Sequence, residues 1–356
     1  MTNNKRTKIP QGSETVFFEE AYIHRKLTEA LNNLFNSWGY LPVETPVFDL
    51  FDAYRPLIPA ENTDKVYRLI DRDGDLLMLR SDITLFLARQ MGLILTEKEL
   101  PVRICYSDSI LRHQDSDDIS HNEFFQSGVE LIGKPGFEGD IEILLLLSRT
   151  ISLMDIPAEI HLGSRSLFNT VFKAFSENDK NEILKMTSLR NFNELIDFCT
   201  PVMGKEKAEK TAELFSYIGN AKDLKKFIDE INKDEINYLI NIVETLEKAG
   251  CADNVHIDLS EAGSQSYHTG IVFQVYMQKV DSAIISGGRY DSLLSNFGIP
   301  APSVGFSMLQ RKIEPGIKNI ERFALPKIEK TLEESDIVNS FKKAEKLRSE
   351  GKIVTL

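Results

Sequence analysis

Residues 103–113, RICYSDSILRH, and residues 122–133, NEFFQSGVELIG, decide the fold of this chain. The apolar runs within them predict two strands, at residues 101–110 and 124–131. The residues between them, 113–122, are polar and predict a connecting loop. We therefore expect an antiparallel strand pair at the centre of the sheet, to which the other elements are added.

The segments that precede this pair predict a helix, an edge strand and a hairpin. Apolar residues between Ile23 and Trp38 recur at helical spacing, and Gly39 stands where a helix would end. Residues 40–46 include two prolines, and because proline cannot donate to a sheet ladder, this strand is predicted at a sheet edge or an interface. Apolar runs on both sides of the Asp73–Gly74 pair predict a hairpin.

The segments that follow the pair predict an interrupted α+β domain. Residues 164–250 form a run of short, densely charged amphipathic helices with almost no strand signal, and strand patterns resume beyond residue 251. We therefore predict one antiparallel α+β core, residues 1–163 and 251–320, with a helical insertion at residues 164–250. The tail, residues 321–356, predicts a small βαβ unit that is too short to fold alone.

The composition predicts a cytoplasmic protein without a bound metal or cofactor. The three cysteines lack paired spacing, the N-terminus is polar, and no apolar run could span a bilayer. The six histidines show no metal-ligand spacing, and no phosphate-loop motif is present. The net charge of −12 opposes binding of a polyanion such as tRNA, although a local basic patch would escape this argument.

Further motifs reveal a resemblance. GGRYDSLLSNFG at residues 287–298, SVGFSMLQR at residues 303–311 and YHTGIVF at residues 267–273 accompany the central strand pair. In this order and spacing the motifs resemble the signature blocks of histidyl-tRNA synthetase, over residues 9–311. The resemblance implies a class II aminoacyl-tRNA synthetase-like antiparallel sheet flanked by helices. The tail is similar to only the opening βαβ unit of that family's anticodon-binding domain.

The resemblance also implies an amino-acid pocket. The family's histidine-binding positions fall on Asp82, Thr84, Gln126, Glu130, Tyr267 and His268. By resemblance, Glu130 would accept a hydrogen bond from the imidazole, and Asp82 and Thr84 would hold the α-amino group. His268 replaces the family's second tyrosine. Two interpretations stay open: a histidine site, or polar groups that satisfy one another inside the sheet.

The residues that the family uses for adenylation are largely missing. Its carboxylate-activating arginine falls on Gly263, and no Arg or Lys occurs between Asp258 and Tyr267. Arg112 and Arg311 remain as residual nucleotide- or anion-binding groups. Because adenylation brings two anions together, it depends on preorganised positive charge, and we assign no catalytic residue. Other nucleotide-handling positions have also changed, to Gln114, Asp115, Asn122 and Gln310.

This combination of features resembles the regulatory subunits of ATP phosphoribosyltransferase, which are paralogues of histidyl-tRNA synthetase. The resemblance implies a self-dimer that joins the short-form catalytic subunit in a hetero-octamer of four plus four, for the first step of histidine biosynthesis. The chemistry would belong to the partner, and histidine could bind this chain, the partner or both. Two alternatives stay open: a divergent, compact histidyl-tRNA synthetase, and a regulator that binds histidine or tRNA.

Overall fold

The computed structural model describes residues 12–113, 122–263, 265–278, 280, 282–330 and 337–355. Its helices are α1 (Phe18–Ser37), α2 (Phe51–Tyr54), α3 (Ile83–Ile94), α4 (Gly136–Met154), α5 (Arg165–Val171), α6 (Glu177–Ser188), α7 (Phe192–Met203), α8 (Lys205–Phe215), α9 (Lys233–Lys248), α10 (Gln310–Ile313) and α11 (Ile337–Ser349). Its strands are β1 (Leu41–Pro42), β2 (Phe48–Leu50), β3 (Arg68–Ile70), β4 (Leu76–Leu79), β5 (Val102–Leu111), β6 (Glu123–Ile132), β7 (Ala158–Ser164), β8 (Ile218–Gly219), β9 (Val255–Asp258), β10 (Ile271–Met277), β11 (Ile285–Arg289), β12 (Ser303–Leu309), β13 (Ile328–Lys330) and β14 (Ile353–Thr355).

The described chain divides into two compact units. The first contains residues 12–14 and 31–318, and the second contains residues 15–30 and 319–355. The sheet that carries the predicted pocket lies in the first unit, and the βαβ tail lies in the second. The predicted boundaries of the core (1–163 and 251–320), the insertion and the tail stay predictions.

The largest sheet among the described residues has nine strands, in the order β1-β5-β6-β12-β11-β10-β7-β9-β8. Its centre is antiparallel, and β5 pairs with β6 from Val102↔Ile132 to Leu111↔Glu123, as the sequence predicted. Two pairs are parallel, β1 with β5 and β7 with β9, so the sheet is mixed. The edge position of β1 agrees with its proline content. The prediction of an α+β core with an antiparallel strand pair at the centre of its sheet is confirmed.

A buried arginine fixes the start of α3. Arg80 is 1% exposed, and its Nη1 donates to the backbone oxygen and the hydroxyl of Thr45, at 2.7 and 3.0 Å. Its Nη2 pairs with Asp108 of β5 at 2.7 Å. Two residues later Asp82 caps α3, because its carboxylate accepts from the backbone N of Leu85 at 3.0 Å. The helix therefore begins at a defined point beside the sheet.

A three-stranded sheet and a helical segment complete the described part of the first unit. The small sheet has the order β2-β4-β3, and β3 and β4 form the predicted hairpin. Residues 164–250 contain α5 to α9, as predicted, and one two-residue strand, β8, which pairs antiparallel with β9. Buried phenylalanines pack these helices together, and the stacked rings of Phe172 and Phe215 have centroids 5.2 Å apart.

The second unit contains the tail. β13 and β14 pair in parallel, from Ile328↔Ile353 to Lys330↔Thr355, and α11 connects them. The buried Ala344 belongs to α11, and Arg348 of the same helix donates to the backbone oxygen of Val354 at 3.1 Å. The predicted βαβ arrangement is therefore confirmed.

Candidate functional site

The predicted histidine-binding residues line one cavity of about 240 Å³. Strands β6, β10, β11 and β12 form its floor, the start of α3 forms one side, and the loop between β9 and β10 forms another. The fold thus brings together positions that are far apart in the sequence: Asp82, Thr84, Gln126, Glu130, Tyr267 and His268. Arg112, predicted as a residual anion-binding residue, also lines the cavity.

Glu130 lies at the centre of a buried ring of hydroxyl groups. Its Oε1 accepts from Thr84 at 2.6 Å and from Tyr106 at 3.4 Å, and its Oε2 accepts from Tyr290. Burial raises the pKa of Glu130 to about 8, with a further rise from the charge of Asp82, and the hydroxyl groups only partly offset this. Burial therefore favours the protonated form of Glu130 near neutral pH.

The neighbouring strand leaves room for the Glu130 carboxyl group only because it has no side chain there. Gly305 of β12 pairs with Glu130 across the sheet, and a Cβ atom at Gly305 would lie 1.8 Å from Glu130 Oε2. Any larger residue at position 305 would displace the carboxyl group from its hydroxyl partners. Gly305, Tyr106 and Tyr290 are site residues that the sequence analysis did not identify as such.

The first turn of α3 supplies one polar wall of the cavity. Gln126 is 3% exposed, and its Oε1 accepts from the backbone N of Ile83 at 3.1 Å. Asp82 is engaged through Oδ1 as the cap of α3, and Thr84 donates to Glu130. These three side chains therefore have structural partners, and a ligand would share them.

The loop between β9 and β10 supplies two aromatic rings. The ring of Tyr267 packs edge-on against Tyr290 and against His268, with centroid distances of 5.7 and 5.2 Å. Burial, and then the charge of Arg165, lower the pKa of His268 to about 3, so this ring is neutral. Its buried Nδ1 atom has no hydrogen-bond partner among the described residues. The cavity wall therefore holds one buried polar atom whose hydrogen-bonding capacity is unmet among the described residues.

Gly263 stands where the family has its adenylating arginine, and its backbone explains why a side chain is excluded here. Its φ is +80°, in the left-handed region that favours glycine. A Cβ atom would lie 2.5 Å from Nδ1 of His268 and 2.9 Å from Cγ1 of Val272. This backbone cannot carry an arginine without rearrangement of the cavity wall.

Of the two predicted anion-binding arginines, only Arg112 lines the cavity. Arg112 lines the cavity and also an adjoining pocket of about 380 Å³, and its guanidinium lies 5.5 Å from the ring centroid of Phe124. Arg311 does not line either space, and its Nη1 lies 3.8 Å from Glu14. Gln310 is buried and donates to Ser127 at 2.6 Å. The substituted positions Gln114 and Asp115 lie outside the described residues.

Among the described residues, no three or more His, Cys, Asp or Glu side chains are placed to hold a metal ion together. None of the described helices combines the length and the apolar content that crossing a bilayer requires.

The profile of the histidyl-tRNA synthetase family matches residues 12–313 of the chain. The fold is also similar to that of a solved histidyl-tRNA synthetase from Nostoc, with a TM-score of 0.79 at 19% identity, over 98% of this chain and 85% of that one. The chain belongs to the histidyl-tRNA synthetase family.

Relatives within the family narrow the assignment. The chain is 30% identical to an ATP phosphoribosyltransferase regulatory subunit of Moorella thermoacetica, over 100% of this chain and 93% of the relative. It is 28% identical to an ATP phosphoribosyltransferase regulatory subunit of Clostridium botulinum, over 91% of this chain and 79% of the relative. A Bacillus halodurans structure described as an ATP phosphoribosyltransferase regulatory subunit/histidyl-tRNA synthetase aligns with a TM-score of 0.84 at 23% identity. The alignment covers 98% of this chain and 92% of that one. Within the family, this chain is a member of the ATP phosphoribosyltransferase regulatory subunits, as its motifs predicted.

Proposed function

We propose that this chain is a non-catalytic subunit that binds a short-form ATP phosphoribosyltransferase catalytic subunit in the cytoplasm. The partner joins ATP to phosphoribosyl pyrophosphate with loss of pyrophosphate, in the first step of histidine biosynthesis. This chain contributes assembly, activation and feedback control. The names of the relatives support the choice of partner, and the geometry of the cavity supports the absence of synthetase chemistry.

The backbone at Gly263 is the observation that carries the proposal. Adenylation needs positive charge beside the reacting carboxylate, and one such contact is often worth about 3 kcal/mol of transition-state stabilisation. A positive φ and the nearby His268 ring exclude an arginine at this position. A cavity of this kind binds an amino acid without activating it, so we expect no aminoacylation of tRNA.

Histidine is the ligand that we propose for the cavity. A donor N–H of its imidazole would meet the Glu130 carboxyl group, and its α-amino group would lie near Asp82 and Thr84. Within the described part of the chain, Nδ1 of the neutral His268 ring beside the cavity has no hydrogen-bond partner. Arg112, and Arg311 outside the cavity, would act only as residual groups for a nucleotide or another anion.

A self-dimer is also part of the proposal. The β1 edge and the three-stranded sheet expose large apolar side chains, which a second copy would cover: Leu41, Val47, Phe48, Leu50, Leu69, Ile70 and Leu76. An isologous contact through residues 43–46 and this sheet closes on itself and leaves no free strand edge. Two such dimers with four catalytic subunits would give the hetero-octamer.

Reconstitution tests the proposal. The short-form catalytic subunit should gain phosphoribosyltransferase activity when this chain is added, and the pure chain should show no histidine-dependent exchange of pyrophosphate into ATP. A catalytic subunit whose activity is unaffected by this chain would overturn the proposed activation. Pyrophosphate exchange above background in the pure chain would overturn its non-catalytic assignment.

Titration calorimetry tests the ligand separately. Glu130→Ala should weaken histidine binding by about 1–3 kcal/mol, because the imidazole N–H loses its buried acceptor. The complex with the catalytic subunit should still assemble, since Glu130 faces the cavity. Glu142→Ala, which removes a half-buried carboxylate outside the cavity, is the matched control. Equal histidine affinity in the wild type and in Glu130→Ala would place histidine sensing on the partner.

A further inference from the structure

A single residue from α5 holds the loop that forms one wall of the cavity. Arg165 donates from Nη2 to the backbone oxygens of Gly263 and Gln265, at 2.8 and 3.1 Å. Its own backbone N donates to the oxygen of Gly270 at 2.8 Å. The loop is therefore fastened at three carbonyl groups along its length. The two aromatic residues that it contributes to the cavity lie between the second and the third of these.

The Arg165 guanidinium is an unusual group for this purpose. It belongs to a residue that is 8% exposed, and among the described residues no carboxylate lies within 4.0 Å of it, nor does its Nε have a hydrogen-bond partner. Burial lowers the pKa of Arg165 to about 10, so the group is still a cation at neutral pH. A neutral amide could hold two carbonyl groups with a smaller desolvation cost. The retained charge therefore indicates a role for the charge itself.

The charge lies behind the His268 ring. Gly263 lies between the Arg165 guanidinium and the His268 ring. Its carbonyl group accepts from Arg165, and a Cβ atom added to Gly263 would lie 2.5 Å from His268 Nδ1. After burial, Arg165 is the second cause that lowers the pKa of His268. A neutral imidazole offers a ligand one donor and one acceptor, whereas imidazolium offers donors only.

We propose that Arg165 is a positioning residue, which fixes the loop carrying Tyr267 and His268 and thereby sets the affinity of the cavity for its amino-acid ligand. This inference rests on the proposed function, because it takes the cavity as the ligand site. Arg165 acts on the ligand through the loop and does not itself line the cavity.

The same segment also holds the start of the loop. Arg190, which follows α6, pairs with the buried Asp258 at 2.8 Å. Ser166, next to Arg165, donates to Glu235 of α9 at 2.5 Å. Both arginines that hold the loop therefore belong to residues 164–250. A displacement of these helices would therefore move the groups that anchor the loop.

Two substitutions separate the charge of Arg165 from its hydrogen bonds. Arg165→Met removes both, whereas Arg165→Lys keeps the charge on a side chain that is one atom shorter, so its nitrogen does not reach the Nη2 position that bonds both carbonyl groups. Lys226→Met is the control, because it removes a cation from the same helical segment, residues 164–250. Lys226 does not line the cavity, and its Nζ lies 4.7 Å from the ring centroid of Phe227. Each full-length variant is measured by three methods: hydrogen exchange of residues 259–268, NMR titration of the His268 ring, and titration with histidine. His268→Gln identifies the His268 resonance among those of the six histidines.

In Arg165→Met the loop amides should exchange faster and the pKa of His268 should rise. Histidine binding should weaken by roughly tenfold or more, because a charge-assisted hydrogen bond is worth about one decade in affinity. Arg165→Lys should keep the His268 titration near that of the wild type and give intermediate loop exchange. Loop exchange and His268 titration equal to those of the wild type in both variants would overturn the inference. If the wild type does not bind histidine, the proposed ligand fails, and the loop and ring measurements still decide the role of Arg165. If Arg165→Met does not fold, loop exchange in Arg165→Lys decides it: intermediate exchange supports the inference and wild-type exchange overturns it.

Discussion

Glu130→Gln provides a direct test of the electrostatics of the cavity. The folded-state pKa of Glu130 is raised from 4.5 to about 8, chiefly because the carboxyl group is buried. Below pH 4.5 the folded and unfolded states both hold the proton, so the stabilisation from this group is fully present. As the pH rises through the folded-state pKa, this stabilisation is lost, because the unfolded state has already released its proton. Each pKa unit is worth about 1.4 kcal/mol, so the loss between pH 5 and 8 is roughly 4 kcal/mol.

Glutamine has the shape and neutrality of the protonated acid and should not show this loss. We therefore expect the free energy of unfolding of the wild type to fall with pH relative to that of Glu130→Gln, by up to about 4 kcal/mol between pH 5 and 8. Urea denaturation at four or five pH values, followed by fluorescence, measures the difference.

Glu142→Gln is the control for this experiment. Burial alone would raise the pKa of Glu142, but hydrogen bonds from Arg103 and Lys134 outweigh it and lower the pKa to about 2. The stabilising effect of Glu142 is present above pH 4.5 and is lost only as the pH falls toward 2. The difference in the free energy of unfolding between the wild type and Glu142→Gln should therefore stay constant between about pH 5 and 8. Parallel curves for the wild type and Glu130→Gln would refute the argument, because they would mean that Glu130 titrates alike in both states.

The remaining predictions concern the lost chemistry, the self-dimer and the core. Gly263→Arg should leave histidine-dependent pyrophosphate exchange at background and lower the Tm, because the backbone φ of +80° and the adjacent ring exclude a side chain; restored exchange would contradict this. Phe48→Asp combined with Ile70→Asp should give a monomer in light scattering at micromolar concentration with an unchanged circular dichroism spectrum, and a persistent dimer would place the interface elsewhere. Arg289→Met should lower the free energy of unfolding by about 3–5 kcal/mol in urea, because it leaves the buried Asp140 without its cation; a change below about 1 kcal/mol would argue that Asp140 is neutral.

Much of the fold follows from local patterns. The Asp73–Gly74 turn predicted the hairpin of β3 and β4, and the two apolar runs predicted β5 and β6, because turn chemistry and apolar runs depend on neighbouring residues. The two parallel pairs of the nine-stranded sheet were not predicted, since β1 and β7 find their partners β5 and β9 across long stretches of sequence.

The candidate site divides in the same way. Motif order predicted the six pocket positions, and the structure places all of them on one cavity. Arg165 gave no signal in the sequence, because it meets the loop across 98 positions and does so through backbone carbonyl groups, which every residue has. Tyr106, Tyr290 and Gly305 were missed for a related reason. Tyr106 and Gly305 reach Glu130 through the register of the neighbouring strands β5 and β12, and Tyr290 reaches it from the end of β11, two strands away.

The sequence by itself determined the family, the order of the elements and the loss of the arginine at Gly263, because these depend on which residues occur and in what order. Tertiary structure alone decided the chemical state of the cavity. Folding raises the pKa of Glu130 because it removes water from the carboxyl group, and it lowers the pKa of His268 because it buries the ring and brings Arg165 behind it. Desolvation and long-range charge depend on the positions of atoms in space, and no local sequence pattern specifies them.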